Sequence, residues 1–289
     1  MFFSSEGPGT ALSSDLPDLI RLWSLCFHEE ETEAGFFLTQ RFIPEHTFVW
    51  RRNGQVCAMI SLIPVYSISC DGRSYRGGYL YAIATRPDLQ GQGIFQKLHR
   101  FAAEQAQTME LDFLCLIPAS ESLFSLYSRT GYETWYLKEK LPSHPIPKQN
   151  ADLQLRNCTI EEYLSVPFTA SALSYETDQD RIFVLKQHLH YGGFLKKARL
   201  NQKVFVLAGD CTDGVLTLSP GSSVHPDILL CAAAELAVQT NASQLLLPQG
   251  CTSVCDPLTN NSSIPYGMGF WLCKEHPRRP SKTMGLMYT

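Results

Sequence analysis

Residues 78–93 read GYLYAIATRPDLQGQG and run without a break into IFQKLHRFAAEQAQ, residues 94–107. A strand of alternating bulky and small side chains ends at Thr85. Arg86, Pro87 and Asp88 make a turn, and Gln90, Gly91, Gln92 and Gly93 lead to a helix start. Glycines at such a junction let a ligand approach the backbone closely. The first N–H groups of the helix have no carbonyl within it to bond, and the helix dipole adds partial positive charge there. The junction therefore suits a phosphate. Two phosphate loops do not fit. A dinucleotide-binding loop has a third glycine three residues after the second, where this chain has Gln96. A nucleoside-triphosphate loop needs Gly-Lys-Ser/Thr, which is absent. On the loop alone, a plain strand–turn–helix connection stays open.

The next residues narrow the choice. Ile94, Leu98, Phe101, Ala102 and Ala106 recur at a helical period over residues 94–109. LDFLCLI, residues 111–117, is a continuous apolar run, as in a strand buried on both faces. ESLFSLYSRT follows as a short helix, stopped by Gly131, and YETWYLKEK opens another strand at Tyr132.

This series resembles the GNAT superfamily of N-acetyltransferases, whose central motif is Gln/Arg-x-x-Gly-x-Gly/Ala. Gln90 and Gly93 stand in the matching places, and Phe95 stands where Gly or Ala is usual. Tyr127 followed by Gly131-Tyr132 is similar to the superfamily's Tyr, then Gly-Phe. The resemblance implies an α/β fold: a mixed twisted sheet with flanking helices, followed by a second, smaller GNAT-like α/β lobe. It implies acetyl-coenzyme A as acyl donor, with its pyrophosphate on the loop Gln90, Gly91, Gln92, Gly93, Ile94 and Phe95. The strand edge at Ile83, Ala84 and Thr85 would take the pantetheine arm as an added strand. Tyr127 would be general acid for the leaving thiolate, since a phenol with an ordinary pKa of about 10 can protonate it.

The acceptor would be a small-molecule or peptide amine attacking the thioester directly, helped by positioning. Tyr79 and Tyr81 share a strand face with Ile83 and Thr85 by alternation and are candidate substrate residues. Glu30 is another, in an acidic loop from His28 to Glu33 that holds four glutamates. Neither tyrosine is a carboxylate, so the base is unassigned. A rival reading is a GNAT-fold sensor that binds acyl-coenzyme A without turnover, favoured by Phe95 and by the missing carboxylate.

Bulk properties exclude other classes. The chain has 289 residues, enough for two domains, and is 44% apolar. Its net charge of −4 and lack of a basic run argue against nucleic-acid binding. No apolar run approaches the ~20 residues needed to span a bilayer, and no cationic start precedes one, so the expectation is a cytoplasmic protein with no membrane partner. Most of the ten cysteines sit in apolar stretches and read as small buried hydrophobes. Cys251 and Cys255 have zinc-like spacing, and His225 and His276 could complete a site, but there is no second Cys pair, so no metal is expected.

Along the chain, Ser13 and Ser14 are candidate caps for a helix with Leu16, Leu19, Ile20, Trp23 and Phe27, followed by a helix over AGFFLTQRF. Asn53-Gly54 marks a hairpin. The first strand is sought around Met1-Phe2-Phe3. The division is 1–141, a proline-rich linker 142–152, and a second lobe 153–289. The second lobe looks like a degenerate copy. A capping box stands at Thr159 to Glu162, and Pro220 to His225 lacks the Gln-x-x-Gly pattern. Tandem lobes occur in the enhanced-intracellular-survival acetyltransferases, where the terminal carboxylate reaches the active site; the matching group here is that of Thr289. The apolar ending Met284, Leu286, Met287 and Tyr288 suggests a docked tail.

Overall fold

In a computed structural model, the chain is described over residues 6–68, 73–139, 152–166, 172–200, 202–220, 226–246, 263–274, 276 and 283–284. It divides into two units. One contains Met1–Val65, Tyr75–Glu133 and Gly269–His276; the other contains Tyr66–Ser74, Thr134–Met268 and Pro277–Thr289. The segment Gly269–His276 thus joins the first unit, although it lies inside the sequence range 153–289.

The first unit starts with β1 (Glu6–Thr10), a strand of sequence EGPGT rather than one around Met1-Phe2-Phe3, which lies outside the described residues. Its glycines and proline hide it from propensity. It persists as an edge strand through pairing with β2 (Thr47–Arg52) from Glu6↔Arg52 to Thr10↔Phe48. Helix α1 (Leu16–Phe27) contains the expected Leu16, Leu19, Ile20, Trp23 and Phe27. Ser13 and Ser14 do not cap it. They lie in a 3-10 turn, and the Asp15 carboxylate accepts the Leu12 N–H at 2.6 Å and pairs with Arg51. A carboxylate is the stronger acceptor there.

Helix α2 (Glu31–Arg41) begins earlier than the apolar run suggests. Glu31, Thr32 and Glu33 lie in its first turn, so the acidic loop shrinks to His28, Glu29 and Glu30. Acids at a helix N-terminus complement its dipole, which explains the extension. The β2–β3 hairpin, β3 being Gln55–Ile68, turns on Asn53 and Gly54, both at positive φ (53° and 77°), as a tight hairpin turn requires.

Strand β4 (Ser74–Thr85) ends as expected, followed by a 3-10 turn Pro87–Leu89 and α3 (Ile94–Thr108). Next come β5 (Phe113–Leu116) and α4 (Glu121–Ser128), and then β6 (Glu133–Glu139), of which only Glu133 falls in the first unit. The first sheet runs β1-β2-β3-β4-β5, with β4 and β5 parallel and β1, β2 and β3 antiparallel, so it is mixed.

The second unit holds β7 (Gln154–Asn157), α5 (Ile160–Leu164), β8 (Ala172–Tyr175), α6 (Asp178–His190), β9 (Phe194–Leu200), β10 (Lys203–Thr212), β11 (Val215–Pro220), α7 (Pro226–Thr240) and β12 (Gln244–Leu246). Its five-stranded sheet is ordered β12-β11-β10-β9-β7. Ala232, Ala233, Leu236 and Ala237 of α7 close its core against Phe205, Leu207, Leu216 and Leu218. The Thr159 capping box forms, with the Glu162 N–H donating to Thr159 Oγ1 at 3.2 Å. After them, β13 (Ser263–Trp271) crosses from the second unit into the first and contributes its Gly269–Trp271 end beside β5. Last comes β14 (Thr283–Met284), which pairs with β8. The loop at 221–225, the cysteines Cys251 and Cys255, most of the linker and the terminal Thr289 lie outside the described residues.

Candidate active site

The site grows from the end of β4. Among the described residues, β5 pairs with β4 only from Gly77↔Phe113 to Tyr79↔Cys115, yet β4 continues to Thr85. Glycine stands at two of the three paired β4 positions, where a side chain would clash. A Cβ on Gly77 would lie 2.3 Å from the Phe113 ring, and one on Gly78 would meet Leu114 and Leu62 at 2.9 Å. Beyond Tyr79 the β5-side edge of Ile83, Ala84 and Thr85 is available to an added strand.

Ala82 has φ 50°, a left-handed residue inside the strand. Tyr79 and Tyr81 share a face, with stacked rings 6.1 Å apart, and exposure alternates from Tyr81 through Ile83 to Thr85, with Ala82 and Ala84 buried between them. Tyr79 is buried, whereas Tyr81 is half-buried and packs on Phe37 (4.9 Å) and Trp23 (5.6 Å). Trp23 Nε1 donates to Glu29 Oε2 at 2.7 Å, so that acid braces α1. Glu30 is exposed and forms the N-cap of α2, its carbonyl accepting the N–H groups of Glu33 and Ala34.

The loop is held by its own side chains. Gln90 Nε2 donates to the Thr85 carbonyl at 3.1 Å, tying the loop to the strand end. Gln92 Oε1 accepts from Arg52 at 3.1 Å, and Arg86 pairs with Asp88. Gly91 and Gly93 have φ 76° and 75°, left-handed conformations that glycine adopts without cost. Gly93 is the N-cap of α3, and no side chain caps that end. A Cβ at Gly91 would meet nothing within 4 Å. Open space, uncapped N–H groups and a helix dipole fit an anion such as a pyrophosphate, while the nearby Arg52 is paired with Glu6.

Phe95 follows in the first turn of α3. Its ring lies 5.6 Å from that of Tyr127 at 75°, and 5.7 Å from His99. Tyr127 lies 6.0 Å from Tyr132, and Tyr132 lies 5.4 Å from His99. The four rings close on one another. His99 Nε2 and the Tyr132 hydroxyl hydrogen-bond at 3.1 Å. Burial holds His99 neutral, its pKa lowered to about 4, and pushes the Tyr127 phenol up to about 12. A phenol so placed stays protonated at neutral pH and is a donor, not a base. Phe270 packs on Tyr132 at 5.7 Å and would touch a Cβ on Gly131 at 3.0 Å.

Sequence reasoning missed His99, Tyr132 as a packing partner, and Phe270. His99 was detectable, since it lies four residues after Phe95 and so beside it on the helix. Phe270 was not, since nothing local connects it to Gly131.

The domain family described as "Acetyltransferase (GNAT) domain" matches residues 10–135. That match covers less than half of the chain, and over those residues the sequence is similar to the family. Solved structures agree on the fold over more of the chain. A GCN5-related N-acetyltransferase from Anabaena variabilis has TM-score 0.67 and 14% identity, covering 91% of this chain and 72% of its own. Another from Kribbella flavida has TM-score 0.63 and 13% identity, covering 91% and 71%. Eis1 from Mycobacterium abscessus has TM-score 0.65 and 10% identity, covering 91% and 73%. No curated protein matches the sequence. Among the described residues, no helix is long and apolar enough to cross a membrane, and no group of His, Cys, Asp and Glu is arranged to hold a metal.

Proposed function

We propose that the GNAT domain transfers an acetyl group from acetyl-coenzyme A to an amine. One juxtaposition carries this reading. The uncapped N-terminus of α3, with left-handed Gly91 and Gly93, directly follows the part of β4 that β5 leaves unpaired, and its Phe95 touches Tyr127. The backbone N–H groups of Gly91, Gln92, Gly93, Ile94 and Phe95 hold the pyrophosphate. Ile83, Ala84 and Thr85 hydrogen-bond the pantetheine arm. Tyr79, Tyr81 and Glu30 border the acceptor. Gln90 acts by anchoring the loop through the Thr85 carbonyl.

The acceptor nitrogen forms a C–N bond to the thioester carbonyl carbon, and the C–S bond breaks. Tyr127 gives its proton to the departing sulfur, and the ammonium proton leaves to water. The second unit acts without coenzyme, so binding belongs to the first unit alone.

Calorimetry with acetyl-coenzyme A, followed by thiol release with a panel of small-molecule amines and peptides, tests this reading. Binding at one site per chain and amine-dependent thiol release are expected. Binding without release on any amine would favour the sensor reading. No binding would remove both.

A further inference from the structure

We propose that Phe95 is the positioning residue for Tyr127, fixing the orientation from which that phenol delivers its proton. The proposal rests on Tyr127 being the proton donor, as above. Backbone N–H groups bind an anion whatever side chain they carry, so a cradle role leaves the Phe95 ring unexplained. The superfamily motif puts Gly or Ala at this position, and here a phenylalanine ring lies 5.6 Å from Tyr127, nearly perpendicular to it.

Tyr127 needs such a support. Among the described residues its hydroxyl makes no hydrogen bond, so packing rather than a polar tether sets its direction, and two ring contacts belong to that packing. Those contacts come from Tyr132 and Phe95. Tyr132 is itself fixed, buried against Phe270 and hydrogen-bonded to His99. Phe95 is the other ring against Tyr127. Phe95 is half-buried and shields that side from water. It also belongs to the first turn of α3, so the same residue joins the anion cradle to the proton donor.

The test compares Phe95→Ala, Phe95→Leu and Phe95→Tyr, each with Tyr127 intact and with Tyr127→Phe. Coenzyme A affinity is measured by calorimetry. Thiol release from acetyl-coenzyme A is measured with water and with the best amine of the panel. The alkaline titration of Tyr127 is the tyrosinate absorbance difference between each protein and its Tyr127→Phe counterpart. Phe95→Ala is expected to lower kcat by about 10- to 100-fold, the scale of a misplacement of about 1 Å. Its coenzyme A affinity should be unchanged, and its Tyr127 titration should move from about 12 toward the ordinary phenol value. Phe95→Leu keeps volume without a ring and should lose an intermediate amount, while Phe95→Tyr keeps the ring and should restore kcat. In the Tyr127→Phe background the Phe95 effects should vanish.

An equal fall in both backgrounds would overturn the proposal, as would lost coenzyme affinity at unchanged kcat. A fall in Tyr127→Phe with none in Phe95→Ala would sink this proposal alone. Unchanged kcat in Tyr127→Phe would sink the proton-donor reading and this proposal with it.

Discussion

His99 makes the first unit sensitive to acid, and the size of the effect follows from its burial. Its ring is 6% exposed and its pKa is lowered from 6.5 to about 4 by desolvation. The unfolded chain therefore takes up a proton at a higher pH than the folded one. Between pH 6.5 and 4 the unfolded state binds more protons, so stability falls as pH falls through that window. With one pKa unit equal to about 1.36 kcal/mol, the loss relative to pH 8 is about 2 kcal/mol at pH 5 and about 3 kcal/mol at pH 4. Other groups also titrate there, so the test is a difference between wild type and His99→Gln. Urea unfolding followed by tryptophan fluorescence suits it, because Trp23, Trp50 and Trp271 belong to this unit. His99→Gln should be the less stable protein at pH 8, having lost ring contacts, but its stability should fall about 2 kcal/mol less by pH 5. Parallel pH curves for the two proteins would refute the assignment of a buried neutral histidine.

Tyr127→Phe should lower kcat by about 10²- to 10⁴-fold with coenzyme affinity unchanged, since general acids contribute on that scale; steady-state thiol release and calorimetry check it. Gly93→Asp should abolish coenzyme binding by setting an acid against the anion site while the protein stays folded by circular dichroism, because Asp tolerates left-handed backbone better than most residues. Gly77→Ala should destabilise the first unit by about 1–3 kcal/mol in urea, as its Cβ would overlap the Phe113 ring. Replacing Glu29, Glu30, Glu31 and Glu33 by Gln should raise KM for a cationic amine at low salt only, because a rim of exposed charge is screened; equal values at both salts would leave these acids a purely structural role.

The loop from Gln90 to Phe95 was legible because glycine, helix period and strand alternation are local signals, and each survives folding unchanged. The Asn53-Gly54 hairpin and the Thr159 capping box were legible for the same reason. Strand β1 was not, because EGPGT becomes a strand only through its partner β2. The start of α2 was hidden because Glu31 to Glu33 are polar, and their stabilising role is electrostatic rather than apolar. Helix α6 and strand β9 went unread amid weak periodicity. The left-handed backbone of Ala82 carries no mark in its residue type. The ring contacts around Tyr127 needed tertiary placement, although Phe95 had already stood out as the wrong size for its position.

The segment Gly269–His276 has a consequence for biosynthesis. It belongs to the first unit, and its Phe270 covers Gly131, packs on Tyr132 and approaches His99. During translation the ribosome makes residues 75–133 well before it reaches Phe270. The nascent first unit must wait through about 140 residues, with Tyr132 and His99 lacking their last partner, and such long-range closure is slow. A fragment ending at residue 141 would stay in that waiting state, its site built in sequence but open along the Gly131 side.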